Sequence, residues 1–234
     1  MTVSLREPER DRAVNAEGTR RIAAAARDAG AKRVISASSA AVYGEPETLP
    51  LGEDARKEPL SPYGASKLEA ETLLACELED SGVDHASFRF SNVYGPRQDA
   101  AGEGGVVAIF CDRIHQKTPP VVYGDGSQTR DFIYVGDVVA AILTALQFDG
   151  ALAASGSGAY NISTGERTSV EQLIMALRIA AGWLGPTERA EPREGDILHS
   201  ALDPSRAAAV FGWSARVSLD VGIAMTWRWF STRA

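Results

Sequence analysis

Apolar positions recur along this chain in two alternating rhythms. From about Arg10 to Asp28, Val14, Ile22, Ala23 and Ala26 fall at helical spacing and predict a helix with one buried stripe, with Gly30 as its C-terminal cap. Arg33-Val34-Ile35-Ser36-Ala37-Ser38 is a short apolar run suited to a buried parallel strand. Gly44 to Leu60 is rich in Pro and Glu and reads as a loop. Ser61-Pro62 opens a second helix, since proline's missing N–H is no loss in a first turn. That helix runs to about Asp80, and Gly82 ends it. Ala86-Ser87-Phe88-Arg89-Phe90 is the next strand. Strand, helix and strand in alternation predict an α/β protein with a parallel sheet and right-handed crossovers.

Beyond Tyr94-Gly95-Pro96-Arg97 the rhythm changes. A loop holding Gly102, Gly104 and Gly105 leads into a helix through Ile114. Short strands at Val121–Tyr123 and Arg130–Tyr134 flank the turn Gly124-Asp125-Gly126. Helices follow at about Asp137–Gln147, Ser169–Ala181, Pro204–Phe211 and Leu219–Phe230. The division expected is a catalytic region over 1–92 and a smaller lobe over 93–234 interleaved with returns to the sheet.

Composition narrows the class. Of 234 residues, 44% are hydrophobic and 24% charged, enough for an ordinary core without staples. Two cysteines, Cys76 and Cys111, make no disulfide framework, and Cys76 reads as a small core residue. His85, His115 and His199 are scattered and support no metal site; Trp183, Trp213, Trp227 and Trp229 read as packing residues. The opening residues hold no apolar signal core, and no run reaches the ~18 apolar residues of a membrane span, so the expected location is cytoplasmic. A net charge of −7 argues against a nucleic-acid binder, but not against a phosphate ligand held by a few placed arginines.

The candidate chemistry lies in Tyr63-Gly64-Ala65-Ser66-Lys67. Tyrosine and lysine four apart share one helix face. An ammonium beside a phenol favours the phenolate, so a group that ordinarily titrates near ~10 can act as a base nearer neutrality. Ser39, at the end of the preceding strand, is placed to share the proton. Ligands in α/β sheets bind beyond the carboxyl ends of the strands, where Ser38, Ser39 and Asn92 also fall.

Ser38-Ser39-Ala40-Ala41-Val42-Tyr43-Gly44, Ser61-Pro62-Tyr63-Gly64-Ala65-Ser66-Lys67 and Arg89-Phe90-Ser91-Asn92-Val93-Tyr94-Gly95-Pro96-Arg97 together resemble the extended short-chain dehydrogenase/reductase family, in its NAD-dependent nucleotide-sugar epimerase/dehydratase branch and nearest to UDP-glucose 4-epimerase-like proteins. Gly124 to Val135 and Arg193-Glu194-Gly195-Asp196 match the same pattern. The resemblance implies a Rossmann-like fold and NAD as cofactor. It makes Tyr63 the general base on a sugar hydroxyl, and Lys67 the group that tunes Tyr63 and binds the nicotinamide ribose. Ser39 becomes the hydroxyl that relays the proton. Hydride would pass to NAD and return to the opposite face of a rotated 4-keto sugar. Asn15, Ser38 and Phe90 would join Tyr63 and Lys67 around the cofactor, with Ser91 bordering the nicotinamide. Ser39, Asn92, Val106, Val107, Tyr123, Arg130, Arg193 and Asp196 would meet a UDP-sugar, the two arginines at its diphosphate. A homodimer is implied, built on the helix that carries Tyr63.

Two departures matter. Where dehydratases carry an acidic pair after the active-site hydroxyl, this chain has Ala40 and Ala41, and methyl groups cannot act as acid or base; elimination is disfavoured. A sister reductase or dehydratase, and a non-enzymatic sugar-nucleotide binding module, remain the alternatives. No G-x-G-x-x-G stands after a strand near the start, so the reading is of an N-terminally truncated Rossmann-like sheet whose strand Arg33–Ala37 has an open apolar edge. A recorded start inside a longer protein is favoured over a second chain supplying the missing part or a degenerate protein. The 234-residue chain is therefore expected to show weak or no NAD binding and little activity, and micromolar binding in a calorimetric titration would overturn that expectation.

Overall fold

The computed structural model describes residues 2–101, 105–154, 158–192 and 197–233. It divides into two compact units, each discontinuous in sequence. The first is Met1–Ser91, Ala140–Ile162 and Leu202–Ser214; the second is Asn92–Val139, Ser163–Ala201 and Ala215–Ala234.

A parallel three-stranded sheet organises the first unit. Strands β1 (Arg33–Ser39), β2 (Asp84–Phe90) and a later strand, Ala159–Ile162, lie in the order β1, β2, Ala159–Ile162. Ser38 pairs with Arg89, and Arg89 with Asn161; one residue on, Ser39 pairs with Phe90 and Phe90 with Ile162. Among the described strands β1 is an edge of this sheet. The segment before β1 comprises helices α1 (Thr2–Arg6) and α2 (Pro8–Arg12), a π-helical turn (Ala13–Glu17) and α3 (Gly18–Asp28). After β1 come a 3₁₀ turn (Ala40–Val42) and α4 (Pro62–Leu78), the crossover to β2. Pro62 sits at the start of α4 and Ser61 caps it, the Ser61 hydroxyl accepting from the Gly64 N–H at 3.1 Å.

Packing explains where the sequence reading of the first helix needs correction. Ala23 meets Leu74, Leu78 and Val83 in a small core, and Ala16 is fully buried. Val14 and Ile22, expected in the buried stripe, are each 66% exposed and border a groove along β1. Small residues face α4 because two helices close only where side chains are short. Cys76, expected in the core, is exposed on α4.

The second unit begins with β3 (Asn92–Tyr94), α5 (Val106–His115), β4 (Val121–Tyr123), β5 (Thr129–Arg130) and β6 (Phe132–Tyr134). Helix α6 (Val135–Gln147) follows, and its last turns belong to the first unit. Then come β7 (Ala159–Ile162, the third strand of the first unit's sheet), β8 (Thr168–Ser169), α7 (Val170–Ala181), β9 (Glu188–Ala190), α8 (Ser205–Phe211) and α9 (Leu219–Ser231). Val107, Phe110, Ile114, Leu173, Leu177, Ile223 and Phe230 from α5, α7 and α9 form the second unit's core with Tyr94 and Phe132. The expected strand Arg130–Tyr134 is split. Thr129–Arg130 pairs antiparallel with β8, and Phe132–Tyr134 parallel with β3. The fully buried Asp131 between them accepts from the Thr164 N–H and hydroxyl and the Gly165 N–H at 2.7–3.0 Å, which turns the strand there. Val121–Tyr123 pairs with β9 rather than across the Gly124–Gly126 turn. No described helix is long and apolar enough to cross a membrane.

Charged clamps tie the first unit at the sheet's opening edge. Arg33 bonds Asp84 at 2.6 Å and reaches the carbonyls of Ala145, Phe148 and Gly150 around the end of α6. Asp84 also accepts from the Leu152 and Ala153 N–H groups at 2.9–3.1 Å. Burial alone would raise the Asp84 carboxyl, but these bonds and Arg33 outweigh it and hold it below the ordinary range. The unfolded chain therefore takes up this proton first. Asp84's stabilisation is complete above the ordinary carboxylate value and is lost as pH falls through the lower folded value. Asp84→Asn is expected to remove about 1.5–3 kcal/mol at neutral pH. It is also expected to flatten the loss of stability between about pH 5 and 2, read by urea denaturation across pH; an unchanged acid limb would contradict this.

Candidate active site

Three of the residues singled out by sequence lie on adjoining elements of the first unit. Ser39 ends β1 and caps the 3₁₀ turn, its hydroxyl accepting from the Ala41 N–H at 3.2 Å. Tyr63 sits in the first turn of α4. Next to Tyr63 on that turn is Gly64: a Cβ there would lie 2.4 Å from the Ala41 carbonyl oxygen. The start of α4 thus rests directly against the turn that follows Ser39, and only glycine leaves room. One helical turn on, Lys67 donates to the Ala37 carbonyl at 3.0 Å, and its ammonium is 5.8 Å from the centre of the Tyr63 ring. Burial lowers the Lys67 pKa, and the nearby Asp11 carboxylate partly opposes that.

Support comes from the segment before β1. Ser66, buried between Tyr63 and Lys67 in sequence, has its hydroxyl 2.5 Å from Asp11 Oδ2 and 3.0 Å from the Tyr63 carbonyl. It accepts from Asn15 Nδ2 at 3.1 Å. Asn15 belongs to the π-helical turn, an irregularity frequent at functional sites because it re-aims side chains. Ser38 is buried and donates to Glu71 Oε1 at 2.5 Å. Phe90 ends β2, half-buried, between Ser39 and Ile162 in register. Asp11, Ser66 and Glu71 escaped the sequence reading, because what marks them is partners distant in the chain, Asp11 and Asn15 for Ser66 and Arg89 for Glu71.

A groove of about 410 Å³ runs along β1, lined by Asn15, Gly18, Thr19, Ser36, Lys67 and apolar neighbours. Its polar wall fits ribose hydroxyls of a dinucleotide such as NAD. Lys67 has three N–H donors, one of them directed at Ala37, and Asn15 and Thr19 line the same wall.

The remaining candidates belong to the second unit. Asn92 is exposed at the start of β3, its N–H donating to the Asp131 carbonyl at 2.8 Å, so it neighbours Arg130. Arg130 is half-buried and directs Nη1 to the carbonyls of Thr129 at 3.0 Å and Leu198 at 3.3 Å. His199 Nδ1 lies 3.0 Å from the Thr129 hydroxyl, which fixes the 198–200 segment beside Arg130. Tyr123 is 36% exposed at the end of β4. Val106 opens α5 partly buried, and Val107 is in the core. Arg193 and Asp196 lie outside the described residues.

Residues 1–163 match the NAD dependent epimerase/dehydratase family. The chain is 40% identical over 232 residues to UDP-glucose 4-epimerase of Mycolicibacterium smegmatis, covering 99% of this chain and 72% of that protein. Its structure is similar to that of UDP-glucose 4-epimerase with UDP-glucose from Thermotoga maritima, with a TM-score of 0.90 and 36% identity over 98% of this chain and 73% of the other. A UDP-N-acetylglucosamine 4-epimerase from Methanobrevibacter ruminantium in complex with UDP-N-acetylmuramic acid gives a TM-score of 0.91 at 31% identity, covering 98% and 72%.

The Gly64 contact generates a prediction opposite in sign to the usual rule. In an open helix Gly→Ala gains up to about 1 kcal/mol. Gly64→Ala is expected to cost about 1–3 kcal/mol in urea denaturation, because the methyl group meets backbone that cannot yield. A variant as stable as the parent would refute the close approach.

Proposed function

The chain belongs to the NAD dependent epimerase/dehydratase family, and from that premise we propose that it epimerises a UDP-sugar at C4. The observation that carries this reading is the seating of Ser39, Tyr63 and Lys67 around one contact, Gly64 against Ala41. Tyr63 takes the proton from the sugar's 4-hydroxyl as general base and later returns it. Lys67, its ammonium held near the ring by Ala37, favours the phenolate and offers its remaining donors to the nicotinamide ribose. Ser39 bonds the reacting oxygen and relays the proton. NAD, when bound, supplies a reversible hydride acceptor. Asn15, Ser38 and Phe90 complete the cofactor side.

On the substrate side, Asn92 and Arg130 take the diphosphate, together with Arg193; Asp196 takes a ribose hydroxyl; and Val106, Val107 and Tyr123 border the base. Arginine suits the diphosphate through charge-assisted, bidentate bonds. Ala40 and Ala41 leave no acid or base beside Ser39 for removing water, which favours epimerisation over dehydration. A homodimer built on the exposed face of α4 belongs to the same proposal.

The test is interconversion of UDP-glucose and UDP-galactose by the chain in millimolar NAD, a concentration that loads even a weak site. Slow turnover is expected, and Tyr63→Phe should lower it by a factor of about 10²–10⁴, the usual worth of a general base. A Tyr63→Phe rate within a few-fold of the parent, or release of water from the sugar, would sink the proposal.

A further inference from the structure

A buried polar network lies under the candidate catalytic residues, and no catalytic step uses it. Arg89, in the middle of the sheet, is 1% exposed. It holds Glu71 with two bonds, Nε to Oε1 at 2.9 Å and Nη2 to Oε2 at 2.6 Å. Its Nη1 donates to the Tyr43 hydroxyl at 2.9 Å and the Glu53 carbonyl at 3.0 Å. Tyr43 in turn donates to Asn161 Oδ1 at 2.7 Å. Ser38, Arg89 and Asn161 occupy one register row across the three strands, the row before Ser39, Phe90 and Ile162. Burying a guanidinium and a carboxylate among strands is costly and adds little net stability over a well-packed apolar set. Such a group is better accounted for by the geometry it fixes.

That geometry is the distance between α4 and the end of β1. Tyr63, Lys67 and Glu71 follow one another at single-turn spacing on α4 and share a face. Lys67 reaches the backbone of β1 at Ala37, and Glu71 reaches its next side chain, Ser38. The Lys67 bond alone is a flexible four-carbon tether. The Glu71 carboxylate is different, because Arg89 locks it from the neighbouring strand. We propose that Glu71 is a positioning residue: held by Arg89 and bonded to Ser38, it fixes α4 on β1 so that the Lys67 ammonium stays on the Ala37 carbonyl and the Tyr63 and Ser39 pair keeps its spacing. The proposal rests on the epimerase reading only for its catalytic consequence; the placement of Lys67 can be read without turnover.

The experiment is an NMR titration of the chain carrying ¹³Cε-lysine, with Lys67→Met to assign its signal among the four lysines. In the parent, burial keeps the Lys67 midpoint low, and Asp11 is the one charged group that acts on it from the packed segment before β1. In Glu71→Gln the ammonium should leave Ala37 for water and its midpoint should rise by about half a pH unit or more. Ser38→Ala, which keeps the Arg89 and Glu71 pair intact, should move it in the same direction and serves if Glu71→Gln does not fold. A loss of melting temperature with the Lys67 midpoint unmoved in a folded variant would reduce Glu71 to a structural residue and overturn the proposal. If the parent turns over UDP-glucose, Glu71→Gln should lower kcat about 10- to 100-fold with KM held within threefold. Absence of turnover in the parent would count against the epimerase reading and leave the lysine titration to decide on Glu71.

Discussion

A helix can rest on a neighbouring turn at backbone distance only where no Cβ intervenes. Gly64 meets that condition on the first turn of α4, and its contact with the Ala41 carbonyl seats the start of that helix against the end of β1. From it follow the position of Tyr63 beside the end of β1, the reach of Lys67 to Ala37 and that of Glu71 to Ser38. Each reach is short because the one before it is satisfied. The helix is held at its start by sterics, one turn on by a neutral acceptor for a cation, and one turn further by a carboxylate shared between a hydroxyl and a guanidinium.

Electrostatics grades these three attachments. The Lys67 ammonium has a single carbonyl and the field of Asp11, which leaves its charged form poorly solvated. The Arg89 guanidinium is deeper but fully engaged, by a carboxylate, a phenol and a carbonyl, and those partners outweigh the cost of its burial. The ion that is meant to stay fixed is thus saturated with partners. The ion proposed to tune Tyr63 and meet the cofactor is left with donors to give.

Much of this was legible in the residues. Tyr63 and Lys67 share a helix face by spacing alone, Ser61-Pro62 announces the start of that helix, and Arg33–Ser38 foretells β1. The rest failed for identifiable reasons. Val14 and Ile22 have the right period but the wrong environment, because alanines are what α4 admits. β7 is buried throughout its four residues, so no polar and apolar alternation marks it. The strand expected at Arg130–Tyr134 breaks at Asp131, whose carboxylate is held by Thr164 and Gly165, more than thirty residues further along the chain. Nothing local in the sequence sets Glu71 apart from the other helix glutamates; what distinguishes it is Arg89, a strand residue eighteen positions on.

Arg33 shows how a side chain's shape can matter more than its charge. Its planar fork takes a carboxylate on one nitrogen and spreads the other two over three carbonyls that end α6 and lead toward β7. Lysine would carry the same charge to the same place but has no fan of coplanar donors to divide among those oxygens. An exchange of arginine for lysine at position 33, conservative in charge, would therefore leave carbonyls at the end of α6 without their donors.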